Sequence, residues 1–403
     1  MYSEKSYHIA DNCRFCWMCR HVCPVGLRTG KEINTPRAKG LLVSMEKRGF
    51  PMDREAAQAF YECTLCGSCS NDCATGFEPP IFIREARTQA AVEGLLPEAV
   101  DRMVNRILDT DVMFENYSED PEIREAVQRH ANPSQVLLLL GATARGKVPA
   151  MALSLIALLE KAGVEFTLLK EEPATGSELY DLIGSVEETR AQAVKCSQVM
   201  NTIFTEVGSG TVVSGTNVTS TDSTVEQEKD TGTDNTRTIV VLDSYLAETI
   251  KHQYPVWGCA LEAEVVTATA YVEALLEAGK LSVKEPFLSE RKVVKKVTLH
   301  DSSRLARDLQ ETEPARKILQ AAGCGISEMF LHGKLAKCCG SELFAQYEPE
   351  LALQTGEGRW EDALRTGADF LVTECPQAYS VLARTKPEEM ELTDIFTLLL
   401  EVL

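Results

Sequence analysis

Apolar and polar positions fall into two textures along the chain. Up to residue 92 they read as helices bracketed by turn residues. Thr35-Pro36 is an N-cap followed by proline at the first helical position, predicting a helix to Lys47 that Gly49-Phe-Pro51 stops. Asp53 caps a second, Arg54 to Tyr61, and a third, Phe82 to Val92, follows Pro79-Pro80. Residues 93–134 read as helical connectors ending at Asn132-Pro133. Beyond them the apolar residues gather in short unbroken runs: Val136–Leu140, Glu165–Leu169, Thr238–Leu242, Val293–Leu299 and Phe370–Thr373. Such runs suit strands buried on both faces of a parallel sheet. Helices are predicted between them at Val148–Ala162, across most of 176–204, and at Tyr245–His252, Glu313–Ala322 and Trp360–Thr366, with a last one at Leu392–Leu403. The stretch 206–237 is rich in Thr, Ser, Gly and Asp; it lacks the apolar surface to offset the entropy of ordering and reads as a mobile insertion.

Composition narrows the function classes. At 403 residues the chain holds two or three domains, and its formal charge of −19 disfavours nucleic acid and anionic lipid as partners. No apolar run reaches transmembrane length, and no apolar signal segment opens the chain. Fourteen cysteines with no small secreted framework point to a reducing cytoplasm.

Eight of those cysteines form two runs of the same C-x2-C-x2-C-x3-C spacing, Cys13-Cys16-Cys19-Cys23 and Cys63-Cys66-Cys69-Cys73. In this pattern three thiolates wrap three corners of a cubane and the fourth ligates the other cluster. The spacing therefore predicts two [4Fe-4S] clusters with crossed ligands, one on Cys13, Cys16, Cys19 and Cys73, the other on Cys63, Cys66, Cys69 and Cys23. Structural zinc wants ligands in pairs, and two runs of four fit it poorly. Arg14, Arg20 and His21 flank the first run, with Arg28 nearby, while Asp72 lies in the second. Cations favour reduction of an anionic cluster, so local sequence predicts the higher potential for the first.

These runs followed by two α/β lobes resemble the iron–sulfur subunits of the glycolate oxidase and heterodisulfide reductase type, which join a helical two-cluster ferredoxin to tandem cysteine-rich CCG repeats. The resemblance implies an α-helical 2[4Fe-4S] ferredoxin domain (1–92), a connector (93–134), repeat one (135–275, with the insertion) and repeat two (290–403). Repeat two keeps Cys338-Cys339-Gly340 and Cys375, but Ser303 and Ala378 stand where the family has cysteine. Repeat one keeps the frame and no cysteine: the matching positions are Gly141-Ala142, Ala174-Thr175-Gly176 and Asp243-Ser244-Tyr245-Leu246. Its second interval exceeds that of repeat two by 32 residues, the length of the insertion. Cys338, Cys339 and Cys375 are open between a third iron–sulfur cluster completed by Ser303, Asp301 or a partner's side chain, zinc, and buried thiols. Cys196, Cys259 and Cys324 match no ligand position and read as core thiols.

With no dinucleotide fingerprint or catalytic triad of its own, the chain reads as an electron-transfer subunit rather than the catalytic one. The resemblance implies a partner FAD-containing dehydrogenase, one oxidising a 2-hydroxy acid, with further electron-transfer subunits as additional partners. The alternatives are a thiol or heterodisulfide reductase working at Cys338, Cys339 and Cys375, and an architectural subunit of an electron-bifurcating complex.

Overall fold

The computed structural model describes residues 2–208, 237–283 and 295–403. Residues 209–236, the bulk of the expected insertion, lie outside these. Its first three residues continue the helix Glu187–Gly208, and Arg237, at its end, pairs with Glu262 at 2.6 Å.

The N-terminal region is helical. Thr35 and Asp53 accept from the main-chain N–H three residues on and start helices Pro36–Lys47 and Arg54–Tyr61. The third helix begins at Pro79, because prolines fit its first turn, and runs to Val92. Shorter helices, Met18–Val22 and Ser68–Asn71, carry the cysteine runs.

Two four-stranded parallel sheets follow. The first holds β1 (Val136–Leu139), β2 (Thr167–Leu168), β3 (Thr238–Val241) and β4 (Glu264–Thr267) in the order β2-β1-β3-β4. The second repeats that order as β6-β5-β7-β8, with β5 (Lys296–His300), β6 (Gly325–Ile326), β7 (Phe370–Thr373) and β8 (Glu391–Asp394). The expected fold class, a helical ferredoxin-type region with two parallel-sheet lobes, is observed. Leu139 pairs with Val241 and His300 with Thr373, so Ala142 corresponds to Ser303 and Asp243 to Cys375.

One expected element is corrected. Leu392–Asp394 belong to β8, and the last helix is Ile395–Leu400. Asp394 is the reason: its carboxylate accepts from the N–H groups of Phe396 and Thr397, so it ends the strand and starts the helix.

Alternate strand residues serve different layers. Leu137, Leu139, Ile239 and Val241 face the helix Glu187–Gly208 through Ala193, Met200 and Phe204. Leu138, Leu140, Val240 and Leu242 face a core that also contains Val297, Leu299 and Val372 of the second sheet. Helix Pro149–Lys161 packs on Ile395–Leu400, and Ala268–Glu277 on Glu313–Ala321, so the two lobes share one interior. The helical region is joined in turn: Phe60, Phe82 and Ile83 pack with Leu179 and Leu182 of the first lobe and Phe344 and Val381 of the second.

Candidate metal centre

The two cysteine runs adopt the same backbone turn. Phe15 and Leu65 have φ of 53° and 51°, Trp17 and Gly67 have 69° and 73°. Left-handed geometry is costly for Phe, Leu and Trp, so its repetition in both runs reflects what the loops must enclose. Main-chain N–H groups turn toward sulfur there: Leu65 donates to Cys63 Sγ at 3.4 Å and Gly26 to Cys23 Sγ at 3.4 Å. Helix Met18–Val22 packs against Ser68–Asn71, which brings the runs side by side.

The thiols sort into two neighbourhoods. Burial pushes Cys19 up to about 11; the Arg37 main-chain N–H pulls the other way, and the sulfurs of Cys13, Cys16 and Cys73 add to the rise. Burial pushes Cys23 up to about 12, with Lys39 and the Gly26 N–H opposing it and Cys63 and Cys66 reinforcing it. Cys69 is raised by burial first, then by Cys66, Cys63, Cys23 and Cys19. Cys73 thus acts on Cys19 of the first run and Cys23 on Cys69 of the second, with Cys19 near enough to act on Cys69 as well. Among the described residues no group of three or more His, Cys, Asp or Glu is placed to hold a single metal ion, as a structural zinc requires. In a cubane each thiolate binds a different iron, so the ligands stand farther apart. The thiols, the repeated turns and the N–H groups aimed at sulfur fit such a group.

The first neighbourhood is open and the second enclosed. Cys16 is exposed, as are Phe15, Trp17 and Met18 around it, whereas Cys66 and Cys69 are buried. Arg37 stacks 3.8 Å above the Trp17 ring and pairs with Glu32 at 2.5 Å.

Repeat two meets the enclosed set directly. Cys338 neighbours Cys66, and the two thiols act on each other's titration: Cys66 is held well below the usual thiol range, by Cys338 first, and Cys338 is raised. Arg307 stitches the same junction, donating through Nε to the Cys66 carbonyl at 2.6 Å and through Nη1 to the carbonyls of Ala336 and Lys334 at 2.8 and 3.2 Å.

Cys338, Cys339 and Cys375 are all buried, and they converge where β5 and β7 end. Ser244 Oγ, from repeat one, lies 3.1 Å from Cys375 Sγ and 3.0 Å from Ser302 Oγ. Arg359, also buried, donates through Nε to His300 Nδ1 at 2.9 Å. Its Nη2 and the Ser303 Oγ are buried without a hydrogen-bond partner. Asp301 does not join the thiols. Its carboxylate accepts from Arg316 at 2.7 and 3.2 Å and from the Gly333 N–H at 2.7 Å, which uses it up.

In repeat one the corresponding place has closed. Ala142, Ala174, Thr175 and Leu246 line a cavity of about 30 Å³, room for little more than one water. Asp243 takes the position of Cys375; burial raises its carboxyl to about 7, and it accepts from Gln377 Nε2 at 2.9 Å and the Tyr245 N–H at 2.9 Å. Of the other cysteines, Cys196 and Cys259 are buried and Cys324 is half-buried.

Sequence reasoning missed Lys39, Arg87, Arg307 and Arg359. They come from elements 16 or more positions away in sequence from the cysteines they approach, and nothing in the consecutive residues around those cysteines points to them.

Residues 9–77 match the 4Fe-4S dicluster domain family and residues 297–383 the cysteine-rich domain family. The chain is similar to one of the subunits of the dihydromethanophenazine:CoB–CoM heterodisulfide reductase of Methanosarcina acetivorans, 25% identical over 91% of this chain and 86% of that protein. The equivalent heterodisulfide reductase polypeptide of Methanosarcina barkeri is 23% identical over 78% and 70%. The probable iron–sulfur-binding oxidoreductase FadF of Bacillus subtilis is 23% identical over 83% of this chain and 44% of its own length. The chain therefore combines a 4Fe-4S dicluster domain with a cysteine-rich CCG domain, as an iron–sulfur oxidoreductase subunit, and heterodisulfide reductase subunits are among the proteins it is similar to.

Proposed function

We propose that the chain is an electron-transfer subunit, relaying electrons between a partner flavoprotein dehydrogenase and another acceptor. Two [4Fe-4S] clusters with crossed ligands carry the relay: Cys13, Cys16, Cys19 and Cys73 hold the open one, and Cys63, Cys66, Cys69 and Cys23 the enclosed one. The observation that supports this most is the adjacency of three thiol groups, from the surface inward. The exposed Cys16 lies in the first, the second neighbours it across the packed motif helices, and Arg307 joins the Cys66 carbonyl of the second to that of Ala336, two residues before Cys338 of repeat two. Bound there, the clusters would supply one-electron redox chemistry. The protein holds them through thiolates and N–H bonds to sulfur, and shields the second from solvent. The partner's FAD would take electrons from a substrate; the family resemblance suggests a 2-hydroxy acid.

The orphaned Arg359 Nη2 and Ser303 Oγ favour an anionic group at Cys338, Cys339 and Cys375 as well, a third cluster in the chain's own acceptor position. A disulfide reductase at those three thiols is the second reading. Their burial and the closure of repeat one count against it.

Gentle anaerobic purification of the native complex tests the proposal. About eight iron atoms per chain, or about eleven to twelve with repeat two occupied, and a flavoprotein at one to one are expected. About four iron atoms, or disulfide reductase activity with no flavoprotein, would overturn it.

A further inference from the structure

The charges that matter to the two thiol sets are not the ones their own runs supply. Arg14 is exposed and donates to the Asp11 carbonyl, Arg20 lies over the Trp17 ring, and Arg28 is spent on Glu361 and Glu357 at 2.7 and 3.5 Å. Asp72 adjoins Cys73, which belongs with Cys13, Cys16 and Cys19, and its Oδ2 is buried without a hydrogen-bond partner. The open set therefore keeps a carboxylate and has only exposed or diverted cations.

The enclosed set has closer cations; its nearby carboxylates are Glu62 and Asp308, the latter paired with Arg304 at 3.2 Å. Arg87, 1% exposed, donates through Nη2 to the Cys63 carbonyl at 2.6 Å, and its other hydrogen bonds go to the carbonyls of Phe60 and Asp181. Arg307 likewise binds only main-chain carbonyls, Cys66 among them, and its Nη2 is buried with no partner. Lys39, 1% exposed, lies near Cys23 and Cys63, with Glu62 also close. Neither arginine forms an ion pair of its own among the described residues; Arg87 is buried, Arg307 half-buried, and a guanidinium stays charged in either setting.

We propose that the set at Cys23, Cys63, Cys66 and Cys69 has the higher reduction potential, raised by Arg87 and Arg307, so that an electron arriving at the exposed face comes to rest beside Cys338. This rests on the two-cluster reading above and gives it a direction. Burial alone works the other way, because the reduced cluster is more negative and the interior withholds the solvation that charge would gain in water. But a guanidinium held against the thiol set is screened less than one that reaches into solvent. Arg87 in the interior and Arg307, half-buried with its Nη2 shut off from water, therefore outweigh the exposed or diverted arginines of the open set. One electron moves from the open set to the enclosed one, and the flavin partner replaces it.

The test is an anaerobic redox titration of the full chain followed by electron paramagnetic resonance. Arg307→Gln is expected to lower the higher of two midpoints about tenfold in the ratio of reduced to oxidised protein, about 59 mV for one electron, leaving the lower in place. Arg307→Lys, which keeps the charge, should retain most of the potential. In Cys73→Ala the surviving midpoint should be the higher one. Eight iron atoms per chain with both midpoints unmoved by Arg307→Gln, or a shift of the lower midpoint alone, would overturn the inference while leaving two clusters standing. An iron content near four would overturn both.

Discussion

Arg304, just beyond the first strand of the second sheet, is ion-paired at 2.5 Å with Asp181 of the first lobe, both fully enclosed. Arg84 of the N-terminal helical region reaches the other oxygen of the same carboxylate at 3.0 Å. One aspartate thus ties three parts of the chain. Removing one member of a buried pair strands the remaining charge, at a cost of about 3–5 kcal/mol. Asp181→Ala should lose stability in that range in urea unfolding of the intact protein, and a loss below about 1 kcal/mol would show that solvent reaches the junction.

The same carboxylate gives a pH dependence. Burial alone would raise its pKa, but Arg304 and Arg84 outweigh this and hold it below the usual value. A depressed carboxylate stabilises fully above its unfolded pKa of about 3.9, and loses that contribution as pH falls through the lower folded value. The stability gap between wild type and Asp181→Asn should be constant from pH 7 to 5 and shrink below about 4. Unfolding curves at those pH values check the sign.

Crossed ligation makes a spectroscopic prediction. Cys73→Ala should damage the cluster on Cys13, Cys16 and Cys19, and Cys23→Ala the one on Cys63, Cys66 and Cys69. Spectra of the reduced variants decide it: loss of the sequence-adjacent cluster in each would refute the assignment.

Gly176 survives in repeat one although the cysteines expected before it are gone. Its φ is +85°, and a Cβ there would stand 2.8 Å from the Thr189 carbonyl oxygen. Gly163 also has a positive φ, +67°, with open space around it. Gly176→Ala should cost about 1–3 kcal/mol and more than Gly163→Ala, measured by thermal unfolding.

The cysteine runs, capped helices and inner strands were legible because each is written in consecutive residues. Asp53 announces its helix, and Val136–Leu139 announces a strand with nothing else consulted. The edge strands β4 and β8 were not legible: Glu264–Thr267 and Glu391–Asp394 are short, begin exposed, and owe their conformation to β3 and β7. Where the charges end up was not legible for the same reason. Arg14 is beside Cys13 in sequence yet turns to solvent, while Arg307 reaches Cys66 across 241 positions.

The interior shared by the two lobes has a mechanical consequence. Leu138 and Val297 belong to one continuous core, and Phe60 and Phe344 to another, so a lobe could swing only by breaking a core it shares. That packing holds the gaps between neighbouring thiol groups. If the relay proposed above operates, tunnelling distances inside the chain are set by the fold, and traffic is throttled at the surface, by what docks there and how long it stays.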